Sequence, residues 1–370
     1  NIKIFDPACG SGNFLIIAYK ELRRLEMEIF KEMGSLALSE ISLNQFYGIE
    51  LDDFAHEIAI LALWLTKHQM NVEFFKEFGR TNPTLPLTDA GNIVQGNACR
   101  LDWEEVCPKN ENDEIYILGN PPYLGGKVLE KEHRLDFEDY FNSKNYTKNL
   151  DYISLWFLKG SKYISKTQHR LAFVSTNSIC QGEHIGLLWP LIYDTQVEIE
   201  FAYKSFKWVN NAKSNAGVIC IIIGLAYKTQ RQKILFDGNL QNKVKNINPY
   251  LSVSKNNLII RKLNYSLSKL PPMALGNMAK DGGNLLISPD ERNTIIDNHP
   301  GARHLIKKLI GALEFIRGVE KYCLWITPNQ YNEAMSFNLI KEKLNRVKEY
   351  RINSKAKSTQ NYADRPFRFI

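Results

Sequence analysis

Ile115, Tyr116, Ile117 and Leu118 run into Gly119, Asn120, Pro121, Pro122 and Tyr123, and this stretch constrains the fold more than any other in the 370-residue chain. Four apolar residues in a row suit a buried strand. Two consecutive prolines cannot extend its ladder, because neither has an N–H to donate. The strand therefore stops at Asn120, leaving a polar side chain, a rigid backbone and an aromatic ring at its C-terminal end. Open α/β sheets hold their ligands at such ends. Taken alone, the tetrapeptide reads equally well as a strand terminator with an incidental Asn. The rest of the chain has to choose.

The first 250 residues alternate strand and helix patterns. Ile2–Phe5 forms a short apolar strand, broken by Asp6 and a turn holding Gly10 and Gly12, and an apolar-periodic helix follows over Phe14–Met33. Phe46–Ile49 reads as a second strand, followed by a long helix from about Asp53 to Met70 with Phe54, Ile58, Leu61 and Leu65 on one face. Ile93–Val94, Ile115–Leu118, Arg170–Ser175, Glu198–Tyr203 and Val218–Leu225 are further strands, with a helix near Ser154–Ile164. This succession predicts an α/β fold: a mostly parallel, Rossmann-like sheet with helices on both faces. From Asn239 the texture turns polar and rich in Asn and Lys. We place a domain boundary there, giving 1–245 and 246–370.

The Gly turn lies between the first strand and the first helix, where backbone passes close to a ligand and helix N–H groups point outward. A dinucleotide fingerprint needs a third Gly, and Leu15 stands in its place. What remains suits a ligand with an amino group and a carboxylate but no pyrophosphate. Glu50 closes the second strand, where an acid takes ribose hydroxyls in nucleotide binders. On its own it reads as a helix N-terminal charge.

Charge divides the chain. Residues 1–200 carry 19 Lys and Arg against 29 Asp and Glu, whereas residues 201–370 carry 28 against 11. The basic half suggests a polyanionic partner; the alternative is a soluble basic surface. Lys341–Arg351 is basic and helical in look, either a solvated face or a track for phosphates. Six scattered Cys without a C-x-x-C pair, and no apolar stretch near bilayer length, predict a cytoplasmic protein with reduced thiols and no membrane span. The seven dispersed His give no metal pair.

Together DPACGSGNFL, GIELD, GNPPYLGG and FVSTNSICQGE resemble the S-adenosylmethionine-dependent N6-adenine DNA methyltransferases, and more narrowly the MmeI-like combined restriction-modification enzymes. KWVNNAKSNAGVICIIIG, LPPMALGNMAKDGGNLLIS and GALEFIRGVEKYCLWI are similar to later segments of that family. The resemblance implies that Asp6, Ala8, Gly10, Gly12, Asn13 and Phe14 hold the methionine portion of the cofactor. Glu50, with Leu51 beside it, takes the ribose. Asn97 falls at the adenine contact, a position often held by an acid. Asn120, Pro121, Pro122 and Tyr123 match the catalytic motif, with Phe206 or Trp208 as a second aromatic against the target base. The implied partner is double-stranded DNA, with no obligate protein partner. Residues 246–370 correspond to the start of a target-recognition domain of mixed α+β type, and the chain reads as an internal fragment of a longer enzyme. Two other functions stay open at this point: methylation of a protein glutamine or an RNA base, and DNA binding without turnover.

Overall fold

A computed structural model describes residues 1–33, 38–79, 91–207, 219–228, 231–263, 265–268, 270–271 and 276–370. It divides into two compact units, Asn1–Asn264 and Tyr265–Ile370. In the first, strands β1 (Ile2–Asp6), β2 (Phe46–Glu50), β3 (Asn92–Gln95), β4 (Glu114–Gly119) and β5 (Arg170–Thr176) run parallel. Strand β7 (Ile219–Tyr227) is antiparallel to both β5 and β6 (Val197–Lys207), and β8 (Lys233–Asp237) with β9 (Leu240–Val244) completes a nine-stranded sheet in the order β3-β2-β1-β4-β5-β7-β6-β8-β9. The order reverses between β1 and β4, so their carboxyl ends diverge and leave a crevice. Strand β4 ends at Gly119, immediately before the residue at which the prolines demand a stop.

Alternation along the strands builds two apolar layers. Ile4 belongs to a core with Leu15 and Tyr19 of helix α1 (Asn13–Met33) and Ala59, Leu63 and Phe74 of α2 (Asp53–Phe78). Phe5, Ile115 and Ile117 face the opposite core, completed by Trp103 of the short α3 (Trp103–Val106), Phe137 of α4 (Lys131–Phe141), Phe157 of α5 (Ser154–Ile164) and Trp189 of α6 (Gly182–Tyr193). On α2 the face carrying Phe54, Leu61 and Leu65 is exposed, and Ala59, Leu63, Met70 and Phe74 pack instead. Periodicity located the helix but not the face that packs.

The compositional break at 245 lies inside the first unit. Ile247 and Leu251 are fully or almost fully buried in its core, and Ile259 packs against it, so the polar texture is that of a surface strap over apolar anchors. The second unit holds a three-stranded antiparallel sheet, β10 (Leu286–Ile287), β12 (Tyr322–Leu324) and β11 (Ile306–Lys308), with helices α7 (Pro289–Asn298), α8 (Ala312–Arg317), α9 (Tyr331–Ser336), α10 (Asn338–Ile352) and α11 (Lys357–Gln360). Leu285, Ile295, Leu305, Leu324, Leu344 and Val347 form its core. All six Cys are free and buried. Among the described residues no helix is long and apolar enough to cross a membrane.

Candidate active site

A cavity of about 400 Å³ opens at the carboxyl ends of β1, β2 and β4, within the size range of small-molecule sites. Ala8, Gly10, Glu50, Leu51, Asn97, Asn120 and Pro122 line it, so residues far apart in sequence meet at the strand-order reversal. Asp6, Gly12, Asn13, Phe14, Pro121 and Tyr123 are not among the residues that line it, though each is within four residues in sequence of one that does.

The Gly turn is held by its own geometry and by Glu50. Gly12 has φ +83°, and a Cβ there would sit 3.3 Å from Ala59 Cβ, so only Gly lets the turn seat against α2. Gly10 N–H donates to Glu50 Oε2 at 2.7 Å, and Asp52 N–H donates to Oε1 at 2.9 Å. Glu50 thus clamps the turn as well as facing the cavity. Each carboxylate oxygen keeps a lone pair for a further donor.

Asp6 is fully buried at the end of β1. Its Oδ1 accepts the Ala8 N–H at 3.0 Å, while Oδ2 has no hydrogen-bond partner among the described residues. Burial, partly offset by the Ala8 N–H and reinforced by the Glu50 charge, raises its pKa from 3.8 to about 7. A Cβ on Gly119 would collide with this carboxylate, a reason for Gly at the end of β4 that the sequence did not disclose.

Asn120 follows directly. Its Oδ1 is buried and has no hydrogen-bond partner among the described residues, a costly arrangement unless a ligand supplies a donor. Tyr123 is half-buried, with its ring against the main core and its hydroxyl beside the Cys220 thiol; burial raises its pKa. Phe206 on β6 stands in register with Cys220 on β7, which brings it to the same end of the sheet. Trp208 lies outside the described residues.

Asn97 is tied on both sides. Its Oδ1 accepts the Cys99 N–H at 2.8 Å, and its Nδ2 donates to Asp136, 3.2 Å from Oδ1 and 3.1 Å from Oδ2. Asp136, Tyr152, His133 and Trp156 were missed by sequence reasoning, although the last three line the cavity. The Glu130 N–H donates to His133 Nδ1 at 3.2 Å, which leaves the ring hydrogen on Nε2, and the ring meets Tyr152 edge to face at 4.6 Å. The Trp156 indole N–H donates to the Pro7 carbonyl at 3.0 Å, fixing the cavity floor to the loop after β1. No local pattern marks these residues; the fold gathers them. Among the described residues Asp53, His56 and Glu57 bring metal-ligand atoms within 4.8 Å of one another. Both ring nitrogens of His56 already face protein oxygens, Glu57 Oε1 and the Ile93 carbonyl, each at 3.2 Å.

Residues 1–237 match the family model of the MmeI DNA-methyltransferase domain, and residues 254–370 that of the MmeI target recognition domain. The chain belongs to the MmeI DNA-methyltransferase family. Its whole length is 46% identical to DNA methyltransferase A of Bacillus subtilis (strain 168), of which it spans 42%. The solved structure of the Type IIL restriction-modification enzyme MmeI in complex with DNA superposes on the whole chain with a TM-score of 0.90 at 37% identity, and the chain spans 51% of it. A type II restriction enzyme and methyltransferase of Escherichia coli, RM.Eco57I, is 26% identical over 156 residues, 35% of this chain and 15% of that protein. This MmeI-family chain therefore carries a methyltransferase unit and a target-recognition unit, and it spans about half the length of its relatives or less.

The recognition unit corrects one reading of the basic half. Within Lys341–Arg351, Arg351 is fully buried and Lys343 pairs with Glu291 at 2.7 Å. The cations left exposed on α10 are Lys341, Arg346 and Lys348.

Proposed function

We propose that this chain holds the catalytic centre of a methyltransferase that acts on the exocyclic N6 amine of adenine in double-stranded DNA, with S-adenosylmethionine as donor, within a restriction-modification enzyme. The observation that carries this reading is the Asn120 Oδ1, buried and unpartnered at the rim of the β1/β4 crevice. An aromatic amine is a weak nucleophile because its lone pair is delocalised into the ring. Asn120 Oδ1 and the Pro121 carbonyl each accept one amino hydrogen, which localises that lone pair and aims it across the cavity. Tyr123, with Phe206 nearby or Trp208, gives the extruded base a face to stack on, against an extrusion cost of a few kcal/mol. No side chain has to act as a strong base.

The residues fit the cofactor. Asp6 Oδ2 lacks a donor where the family resemblance puts an amino group, Glu50 retains two lone pairs for ribose hydroxyls, and Gly10 and Gly12 keep the wall free of side chains. Ala8, Asn13, Phe14 and Leu51 complete the turn, with Asn97 at the adenine end. When bound, S-adenosylmethionine supplies an electrophilic methyl group on a sulfonium. The restriction-modification enzyme MmeI is solved in complex with DNA, which supports DNA as the partner here.

The test is transfer of labelled methyl from S-adenosylmethionine to duplex DNA, followed by digestion to nucleosides. N6-methyladenine is the expected product. Label in N4- or 5-methylcytosine, or in RNA or protein instead of DNA, would overturn the assignment.

Asp6 gives the site a pH dependence with a definite sign. Its carboxyl is protonated below about pH 7 in the free protein, and only the carboxylate form receives an ammonium. Affinity for S-adenosylhomocysteine is expected to rise as pH increases from 5.5 to 7, by up to ~10-fold per unit at the acid end, and then to level. The same raised pKa makes this group's contribution to folding fall as pH rises from about 4 to about 7, because the unfolded chain releases the proton first. Asp6→Asn should flatten the affinity profile in titration calorimetry.

A further inference from the structure

A side-chain amide is ambiguous: rotating it by half a turn exchanges a donor for an acceptor. Asn97 is denied that freedom. With Nδ2 toward Asp136, one N–H faces a carboxylate that can only accept, and Oδ1 meets the Cys99 N–H at 2.8 Å, a group that can only donate. The flipped amide would set oxygen against carboxylate and N–H against N–H. Asp136 is itself fixed, 2% exposed, by the Tyr152 hydroxyl at 2.5 Å and the Arg100 Nε at 2.7 Å. Pinned in this way, the amide keeps one N–H and one oxygen lone pair, and Asn97 lines the cavity.

We propose that Asp136 is a positioning residue that makes the cavity selective for a 6-amino purine, by holding the Asn97 amide in one of its two orientations. Adenine offers an N6 donor beside an N1 acceptor, which matches the free lone pair and N–H of the fixed amide, the same donor–acceptor pairing that Asn and Gln make with the N6/N7 edge of adenine in DNA. Hypoxanthine reverses both, with an O6 acceptor beside an N1–H donor. A fixed amide rejects it. A freely turning amide accepts either base equally well. The inference rests on the cofactor reading above.

Binding of S-adenosylhomocysteine and S-inosylhomocysteine to this chain separates the cases without any turnover. The unaltered chain is expected to favour the adenosyl compound by about 5- to 150-fold, the range for one bidentate amide–base pair. Asp136→Asn presents a group that can donate as well as accept and so removes one of the two constraints on the Asn97 amide, the Cys99 N–H being the other; the preference should fall, though not to unity, mainly through tighter binding of the inosyl compound. If Asp136→Asn does not fold, Asp136→Ser removes the same constraint and is read by the same ratio. An unchanged preference in a folded Asp136 variant would overturn the orienting role alone. Failure of the unaltered chain to bind either compound would overturn the cofactor reading and this inference with it.

Discussion

Asn120→Ala should lower methyl transfer to DNA by about 100- to 1,000-fold or more while S-adenosylhomocysteine affinity changes less than about twofold. The oxygen is buried and unpartnered in the free protein, so its hydrogen bond forms only when an amine arrives, and strengthens as that amine becomes tetrahedral. Losing such an interaction lowers turnover rather than cofactor binding. A second consequence separates this role from a structural one. An unsatisfied buried acceptor costs on the order of 1–3 kcal/mol, and removing it relieves that cost. The variant should therefore melt no lower than the parent, the relation expected where function is held at the expense of stability. Single-turnover transfer, titration calorimetry and a melting curve on the same preparation check all three statements. Near-normal transfer, or a clear loss of stability, would remove Asn120 from the centre of the mechanism. Tyr123→Phe should be mild in comparison, since the ring packs on the core and the hydroxyl lies beside the Cys220 thiol.

The parallel half of the sheet is legible because each strand there ends in residues whose chemistry forbids continuation. Pro121 and Pro122 stop β4, and the Gly turn stops β1. Beyond β7 the signal fades. Strand β8 opens with Lys233, which reads as surface yet is 4% exposed, paired with Glu198 at 2.8 Å and donating to Asn246 Oδ1 at 2.8 Å. A buried charge held by a partner 35 residues away leaves no local pattern. Helix α2 shows the same limit in another form: a 3.6-residue period locates an apolar face but does not say whether that face or its neighbour packs. In the cavity, Gly10, Gly12, Glu50 and Asn120 announce themselves by motif. His133, Tyr152 and Trp156, and Asp136 behind Asn97, do not, because α4, α5 and the turn before α5 bring them there from the second apolar layer. The burial that raises the Asp6 pKa was equally hidden: it comes from the strand on its far side, where Gly119 leaves just enough room for a carboxylate.

Arg351→Ala should unfold much of the recognition unit while the methyltransferase unit keeps its structure. Arg351 looks like one more cation on a basic helix, but its guanidinium is fully buried and spends all five N–H donors on backbone carbonyls. Nε reaches Lys280 O at 3.1 Å; Nη1 reaches Tyr362 O at 3.1 Å and Arg365 O at 2.7 Å; Nη2 reaches Ala279 O at 2.9 Å and Arg368 O at 2.7 Å. One side chain thereby joins three stretches, residues 279–280, the end of α10 and the turns at 362–368. Removing it takes the donor from five carbonyls on partly buried or exposed residues, each loss costing toward the lower end of roughly 1–3 kcal/mol. The total is comparable with the ~5–15 kcal/mol that holds a whole domain folded. Arg351→Lys should be intermediate, since an ammonium has three donors for five acceptors and lacks the planar fork that reaches both sides. Hydrogen exchange followed by proteolysis would show the difference directly: amides of 279–285 and 359–370 lose protection in Arg351→Ala, partly in Arg351→Lys, and those of β1, β4 and β5 in neither. Charge reversal at Lys341, Arg346 and Lys348 supplies the contrast. Reversing these exposed cations should lower DNA affinity and its salt dependence without loosening the fold. An Arg351→Ala variant that kept its exchange protection and lost only salt-sensitive DNA binding would return Arg351 to the phosphate-contacting role its sequence context suggested.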